Sequence, residues 1–245
     1  MKKIVVTFWG WTNAGDVSAQ MGRLLQAKTN SIEIAKIKGF FEYTSCRPAF
    51  TIHDGIVKEV KEPATTVWVS KTENQLFISQ GPEPTLNWHR YCDEFFGLLK
   101  SLEIERIFSI GSFYDRVTHR MEQKFSIVVS HDRLKKEFED LVPVNYEGPG
   151  SIHSYLIYES AKRGIESVTI WNSVPPYIVG PVPYYPAILS CCEIIKSKLN
   201  IDFNTSELRE VSKRQYEELE ARMRIDPKLH SLVEEIEKEV KFTVQ

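Results

Sequence analysis

The sequence has no surplus of charge of either sign. Its 31 Lys and Arg face 33 Asp and Glu, a formal net charge of −2 over 245 residues. Without a basic excess there is no global field to gather nucleic acid or an acidic membrane surface. Cysteine is scarce: Cys46, Cys92, Cys191 and Cys192. They form no C-x-x-C pair, and no His/Cys cluster has ligand spacing. This excludes a disulfide scaffold or zinc ribbon and points to reduced, mostly buried thiols in a cytosolic protein. No apolar stretch approaches the length of a transmembrane helix. The opening "MKKIVVTFWGW" has too short an apolar run for a secretory leader and no small-residue cleavage site, so it reads as a first strand.

Nucleotide and hydrolase signatures are also missing. There is no G-x-x-x-x-G-K-[ST], no G-x-G-x-x-G, no G-x-S-x-G and no H-E-x-x-H. These absences remove the usual phosphate cradles, the nucleophile elbow and the zinc-protease helix.

What is present is the patterning of an α/β protein. Hydrophobic residues make up 42% and charged residues 26%, enough apolar material for one large domain or a domain with an appendage. "IVVTF" (4–8) reads as a strand covered on both faces. Asp16 is placed to cap a helix carrying Val17, Met21, Leu24 and Leu25 on one stripe. "SIEIAKIK" (31–38) alternates as a half-buried strand, so the first forty residues read as a βαβ unit. Asp54-Gly55 between "FTIH" and "IVKEV" predicts a hairpin. "TTVWVSK" and "QLFISQ" follow as strands. Pro84 suits the first turn of a helix whose Trp88, Cys92, Phe95 and Leu99 line one face.

Further on, "IERIFSIGS" (104–112) is a strand entering a glycine turn. "KFSIVVS" (124–130) is a strand followed by a charged helix at 132–140. A helix at 152–163 stops at Gly164, and "SVTIWNSV" is the next strand. Five of the twelve prolines lie in "PPYIVGPVPYYP" (175–186), a rigid loop before a helix at 187–198. In the last forty residues, Leu208, Val211, Leu219 and Met223 form one helical stripe. Asp226-Pro227 then starts a second helix, with Leu229, Leu232, Val233, Ile236 and Val240 as its stripe. The two form a helical hairpin, so residues 1–203 read as an α/β domain and 204–245 as a C-terminal extension.

Candidate chemistry collects at predicted strand ends, where α/β folds place ligands. "GWTNAGD" (10–16) brings Asn13 and Asp16. Its two glycines, its bulky Trp11 and an aspartate at the helix start favour a structural corner over a phosphate loop. "GSFYDRVTHR" (111–120) offers Asp115, Arg116, His119 and Arg120 as an acid/base and anion-holding set. With no accompanying nucleophile, an Asp–Arg network fixing the loop is the preferred reading. Glu83 and Glu147 lie in glycine-proline turns and would form an acid/base pair only if they met in space. The aromatics Trp171, Tyr177, Tyr184 and Tyr185 around the proline-rich loop fit an exposed contact surface and a loop packed on its own core equally well.

The order and spacing of "GWTNAGDVSAQ", "FFEYTSCRP", "GPEPTLNWHRYCDEF", "IERIFSIGSFYDRVTH", "YEGPGSIHSYLIYESAKRGIESVTIWNSVPPYIVGP" and "DPKLHSLVEEIEKEV" resemble the PAC2 family, the proteasome assembly chaperone 2-like proteins of archaea and bacteria. The likeness runs from about residue 4 to 240. It implies a three-layer α/β/α sandwich, phosphorylase/hydrolase-like, with a C-terminal helical hairpin. It also implies homo-oligomers that act as assembly chaperones or scaffolds, since eukaryotic relatives help build the 20S proteasome. Some relatives carry an ATP-grasp ligase label, for which this chain has neither the glycine loop nor a set of magnesium carboxylates. Relatives that dock on proteasomes often carry a tyrosine next to last. Here Val244 stands in that place, in "KFTVQ", so docking by the tail is not implied.

The resulting expectation is a cytoplasmic, non-enzymatic, ATP-independent assembly chaperone without a cofactor. Its partners would be proteins, possible proteasome subunits among them, rather than nucleic acid or membrane. The alternative is an enzyme or sensor for a small anionic, nucleotide-like ligand held by Asn13, Asp16, Glu83, Asp115, Arg116 and Glu147.

Overall fold

The run Ile4–Phe8 sets the centre of the fold. In the computed structural model, which describes residues 1–180 and 182–243, Ile4, Val5, Val6 and Phe8 have no solvent exposure. The elements are β1 (Lys3–Trp9), α1 (Val17–Lys28), β2 (Ile32–Ile37), β3 (Ala49–His53), β4 (Ile56–Lys61), β5 (Thr65–Val69), β6 (Leu76–Pro82), α2 (Trp88–Ser101), β7 (Arg106–Tyr114), β8 (Phe125–Val129), β9 (Val142–Pro143), α3 (Ile152–Lys162), β10 (Glu166–Val174), α4 (Tyr185–Leu199), α5 (Ser206–Ile225) and α6 (Pro227–Thr243). Eight strands form one sheet in the order β2-β5-β6-β1-β7-β10-β8-β9. Within it β6, β1, β7 and β10 are parallel. The flanking β5, β2 and β8 are antiparallel to their inner neighbours.

Alternate residues of β1 feed opposite faces of this sheet, as period-two geometry requires. Val5 joins a core with Met21 and Leu25 of α1 and Ile188, Cys191 and Ile195 of α4, which Leu219 of α5 extends. Ile4, Val6 and Phe8 join Tyr91, Phe95 and Leu99 of α2 and Leu156 of α3. The result is the three-layer α/β/α sandwich. Each fully buried large side chain contributes about 1.5–3 kcal/mol.

Several local expectations change. The first forty residues are not a βαβ unit with adjacent strands. β2 pairs antiparallel with β5 at the sheet edge, with β5 and β6 between it and β1. Its Ile32 and Ile34 stay 45% and 40% exposed. The slots beside β1 go to β6 and β7, which send Leu76, Ile78, Phe108 and Ile110 into one core and Phe77 and Ile107 into the other. Pro84 is not in the first turn of α2, which starts at Trp88 after Asn87 (φ 48). Instead the Pro84 carbonyl accepts the Trp88 indole N–H at 2.5 Å. Gly111 is no turn: β7 continues through it to Tyr114. A glycine is needed there because any side chain would collide with the Trp171 ring on β10. The charged segment after β8 is a 3-10 helix, Asp132–Phe138.

Other expectations hold. Asp54 (φ 51) and Gly55 (φ 74) make the turn of the β3–β4 hairpin. Asp226 caps α6, its Oδ1 accepting the N–H groups of Lys228 at 3.0 Å and Leu229 at 3.2 Å. Leu219, Met223, Leu229, Val233 and Ile236 of the two tail helices are buried. Of the two readings of the aromatics near the proline-rich loop, Tyr184 and Tyr177 follow the inward one: Tyr184 is buried and Tyr177, half-buried, packs on Met223 and Val233. Pro181, Val244 and the side chain of Val240 lie outside the described residues.

Candidate functional site

Because β6, β1, β7 and β10 are parallel, Pro82, Trp9, Tyr114 and Val174 end at the same edge of the sheet. The loops that follow them carry all the candidate residues except Glu147.

In the first loop the capping roles differ from expectation. Asp16 has a left-handed backbone (φ 52) and makes no side-chain bond to the helix backbone. Its carboxylate instead accepts from Gln20 at 2.9 Å and Arg23 at 3.0 Å, along the first turns of α1. Asn13 does the capping: its Oδ1 accepts the Ala19 N–H at 3.0 Å, and its Nδ2 donates to Asp16 at 2.9 Å. The loop is fastened to β7 through Ser112, which donates its N–H to Thr12 and its hydroxyl to Ala14.

Glu83 joins three segments. Its Oε2 accepts the Trp11 N–H at 3.2 Å, and its Oε1 accepts the Ile152 N–H at 3.1 Å, at the first residue of α3. A carboxylate there complements the positive end of the helix dipole. Gly10 (φ +146) lets the backbone pass, since a Cβ at that position would sit 3.0 Å from that of Glu83.

The loop after β7 serves the C-terminal helices. Asp115 accepts the Ser173 hydroxyl at 2.8 Å and the Arg116 N–H at 2.8 Å. Arg116 donates to Glu235 at 2.8 Å and to Glu239 at 2.5 and 2.7 Å. The Tyr177 hydroxyl lies 2.7 Å from both the backbone N and Nδ1 of His119. His119 Nε2 lies 3.0 Å from Glu220, and Arg120 grips that carboxylate with two bonds. Arg120 holds the Glu220 pKa down to about 2. Burial pushes the His119 imidazole below its ordinary value, against the opposing pull of Glu220. A neutral imidazole accepting at Nδ1 and donating at Nε2 satisfies every bond.

Glu147 is exposed and has no hydrogen bond or ion pair among the described residues. The candidates therefore form separate groups: Asn13 with Asp16, Glu83 under the Trp11 turn, Asp115 with Arg116 on the tail, and Glu147 by itself. Two open clefts flank Trp9. One, of about 530 Å³, is lined by Asp16, Arg23, Gln26 and Trp68 among others. The other, of about 570 Å³, is lined by Trp11, Cys46, Glu83, Trp88 and Gly150 among others.

A Ser–His contact escaped the sequence reading. The hydroxyl of Ser109 bonds to Nδ1 of His153. Both residues are buried, and the imidazole lies edge-on to the Phe8 and Trp171 rings. Burial drives its pKa down to about 3, and Nε2 has no partner. With no carboxylate on that nitrogen and no solvent path, the pair lacks the triad geometry. Nothing in the sequence marks it, because Ser109 and His153 lie on separate elements. The thiols are equally quiet: all four cysteines are free, and burial raises Cys92 and Cys192 to about 12. Among the described residues no group of His, Cys, Asp or Glu is placed to hold a metal ion, and no helix is long and apolar enough to cross a membrane.

The sequence profile of the PAC2 family matches residues 7–223. The chain belongs to the PAC2 family. No curated protein matches it by sequence. Solved PAC2-like structures share its architecture. A Mycobacterium tuberculosis proteasome-assembly chaperone homologue is 23% identical with a TM-score of 0.85, covering 94% of this chain and 99% of its own. A PAC2 family protein from Streptomyces avermitilis is 23% identical with a TM-score of 0.82, covering 90% and 95%. Pyrococcus furiosus PbaB, an archaeal proteasome activator, is 12% identical with a TM-score of 0.68, covering 90% and 92%. At these identities the likeness establishes the PAC2 fold.

Proposed function

We propose that this PAC2 protein is a non-enzymatic, ATP-independent assembly chaperone or scaffold. It would work in the cytoplasm as a homo-oligomer on protein partners, with proteasome subunits the first to test. One observation carries the reading: the β3–β4 hairpin stands apart from the main sheet, and every residue of its two strands is exposed. Its register pairs Phe50 with Val60 and Ile52 with Val57, and residues directly opposite share a face. These four side chains are 57%, 48%, 59% and 52% exposed. The opposite face pairs Thr51 with Glu59, Ala49 with Lys61 and, beside the turn, His53 with Ile56. A two-stranded ribbon is marginal in water unless its apolar face is covered, and uncovered apolar faces of this kind mark protein contacts. The names of the structural neighbours, a proteasome-assembly chaperone homologue and a proteasome activator, agree with this direction.

The anionic-ligand alternative has less support. Arg23 is paired with Asp16, and Arg116 with Glu235 and Glu239. Neither arginine is left free at the strand ends.

Light scattering on the eluted protein, with and without purified 20S subunits, tests the proposal. Phe50→Ser with Val60→Ser should lower the oligomer or abolish subunit binding while leaving the circular dichroism unchanged. A wild-type monomer that binds no 20S subunit would sink it.

A further inference from the structure

The cleft containing Glu83 has a composition suited to one kind of ligand. Three of the five tryptophans, Trp9, Trp11 and Trp88, line it. Trp11 is 65% and Trp9 40% exposed, leaving large indole surfaces in water. Covering such surfaces is strongly favourable, and tryptophan is a characteristic anchor of binding sites. The volume of about 570 Å³ lies within the range of ligand pockets. Among the described residues that line it, Glu83 is the only one with a charged side chain. Two backbone N–H groups hold its carboxylate in place. An ionised carboxylate accepts about four hydrogen bonds, so acceptor capacity remains.

Indole faces are electron-rich and attract cations, and the methylene stem of a lysine or arginine can cover apolar ring surface at the same time. A fixed carboxylate beside them adds a charge-assisted hydrogen bond. An anion would meet only the Glu83 charge there. Ser45 and Cys46 form part of the wall, shortly before β3 begins, so the cleft adjoins the root of the uncovered hairpin. A chain lying on the Phe50–Val60 face would therefore have this cleft within reach.

We propose that the Trp9–Trp11–Trp88 cleft binds a lysine or arginine side chain presented by a polypeptide, with Glu83 as its counter-charge. The source of that side chain rests on the protein-partner reading above; the chemistry of the cleft does not.

The indole N–H signals in a proton–nitrogen NMR spectrum, assigned by single Trp→Phe variants, provide the test. Probes are the blocked tripeptides Gly-Lys-Gly and Gly-Arg-Gly, with norleucine and glutamate at the central position as controls. Choline and spermidine represent free amines. The basic tripeptides should shift the Trp9, Trp11 and Trp88 signals saturably and leave Trp171 in place. The controls should bind about tenfold more weakly or worse. Trp11→Ala, at an exposed site, and Glu83→Gln should each weaken binding about fivefold or more, with unchanged circular dichroism. Binding should also weaken as salt is raised. An equal response to norleucine, or no response of the three indoles, overturns the proposal. Tighter binding of choline or spermidine than of the tripeptides overturns the polypeptide source. Phe50→Ser should leave the tripeptide response intact whatever it does to assembly, so the two readings fail separately.

Discussion

His119 and Glu220, 101 residues apart in sequence, meet at 3.0 Å with the imidazole wholly buried. Together with Arg120 and Tyr177 they fasten α5 to the loop after β7, and Arg116 does the same for α6. This contact gives the first prediction its sign. The folded His119 pKa lies below its ordinary 6.5, so the neutral form stabilises the fold. That contribution is complete above 6.5 and is lost as pH falls through the folded value. Glu220 follows at lower pH: its contribution is complete above its ordinary 4.5 and is lost on the way to about 2. Hydrogen-exchange protection factors in α5, each rate taken against its intrinsic value at the same pH, should therefore fall first below neutral pH and again under more acidic conditions. An exchange rate in α5 that follows the global unfolding rate at every pH would contradict this.

Glu220→Gln keeps the volume and removes the charge that Arg120 and His119 share. It should cost about 1–3 kcal/mol, the range for weakening hydrogen bonds to a charged group, here a carboxylate shared by the half-exposed Arg120 and the buried His119. The denaturation midpoint should fall, with the loss of protection concentrated in α5 and α6.

Truncation after residue 203 tests whether the α/β part is a domain in its own right. It would remove Leu219 from the core beneath α4 and uncover the face of Tyr177 that meets Met223 and Val233. We expect residues 1–203 to keep the circular dichroism of the sandwich but to melt earlier and bind a hydrophobic dye. Complete loss of structure would show that the two parts form one folding unit.

Gly111→Ala should be more damaging than its small size suggests. The new methyl would drive into the Trp171 ring in the middle of two parallel strands. Overpacking of this kind costs about 1–3 kcal/mol. Denaturant titration followed by Trp171 fluorescence would register both the loss and the displaced ring.

Glu83→Ala should destabilise by about 0.5–2 kcal/mol, because it frees the Ile152 N–H at the start of α3 as well as the turn at Trp11. Glu83→Gln retains an acceptor and should cost less. The comparison of the two variants separates the helix-capping role from the charge.

The sequence made local features legible. "IVVTF" is apolar at both parities, so burial on both faces followed directly. Asp54-Gly55 and Asp226-Pro227 are turn and cap signals that act within a few residues. The neighbours of β2 were illegible, because strand order depends on residues far along the chain. An aspartate at a helix start reads as a side-chain cap, but the positive φ of Asp16 does not show in its identity, and Asn13 three residues earlier takes that role. The site candidates were found by chemistry at strand ends, yet their partners were not legible. Arg116 meets Glu239 across 123 residues, and only the folded tail reveals that it is committed there. The tryptophans of the cleft were visible one at a time, but their convergence on Glu83 was not.

The position of β1 has a consequence for biosynthesis. It precedes every other strand of its sheet along the chain, yet its neighbours β6 and β7 begin at Leu76 and Arg106. This strand, buried from Ile4 to Phe8, must therefore wait, unpaired, through the synthesis of roughly the next 70 residues for β6 and about 30 more for β7, at about 5–20 residues per second. The clasp made by Glu220, Glu235 and Glu239 needs α5 and α6 in place against the loop after β7. Neither the centre of the sheet nor the seating of these helices can thus form in the order of synthesis, because both rest on contacts between segments far apart along the chain.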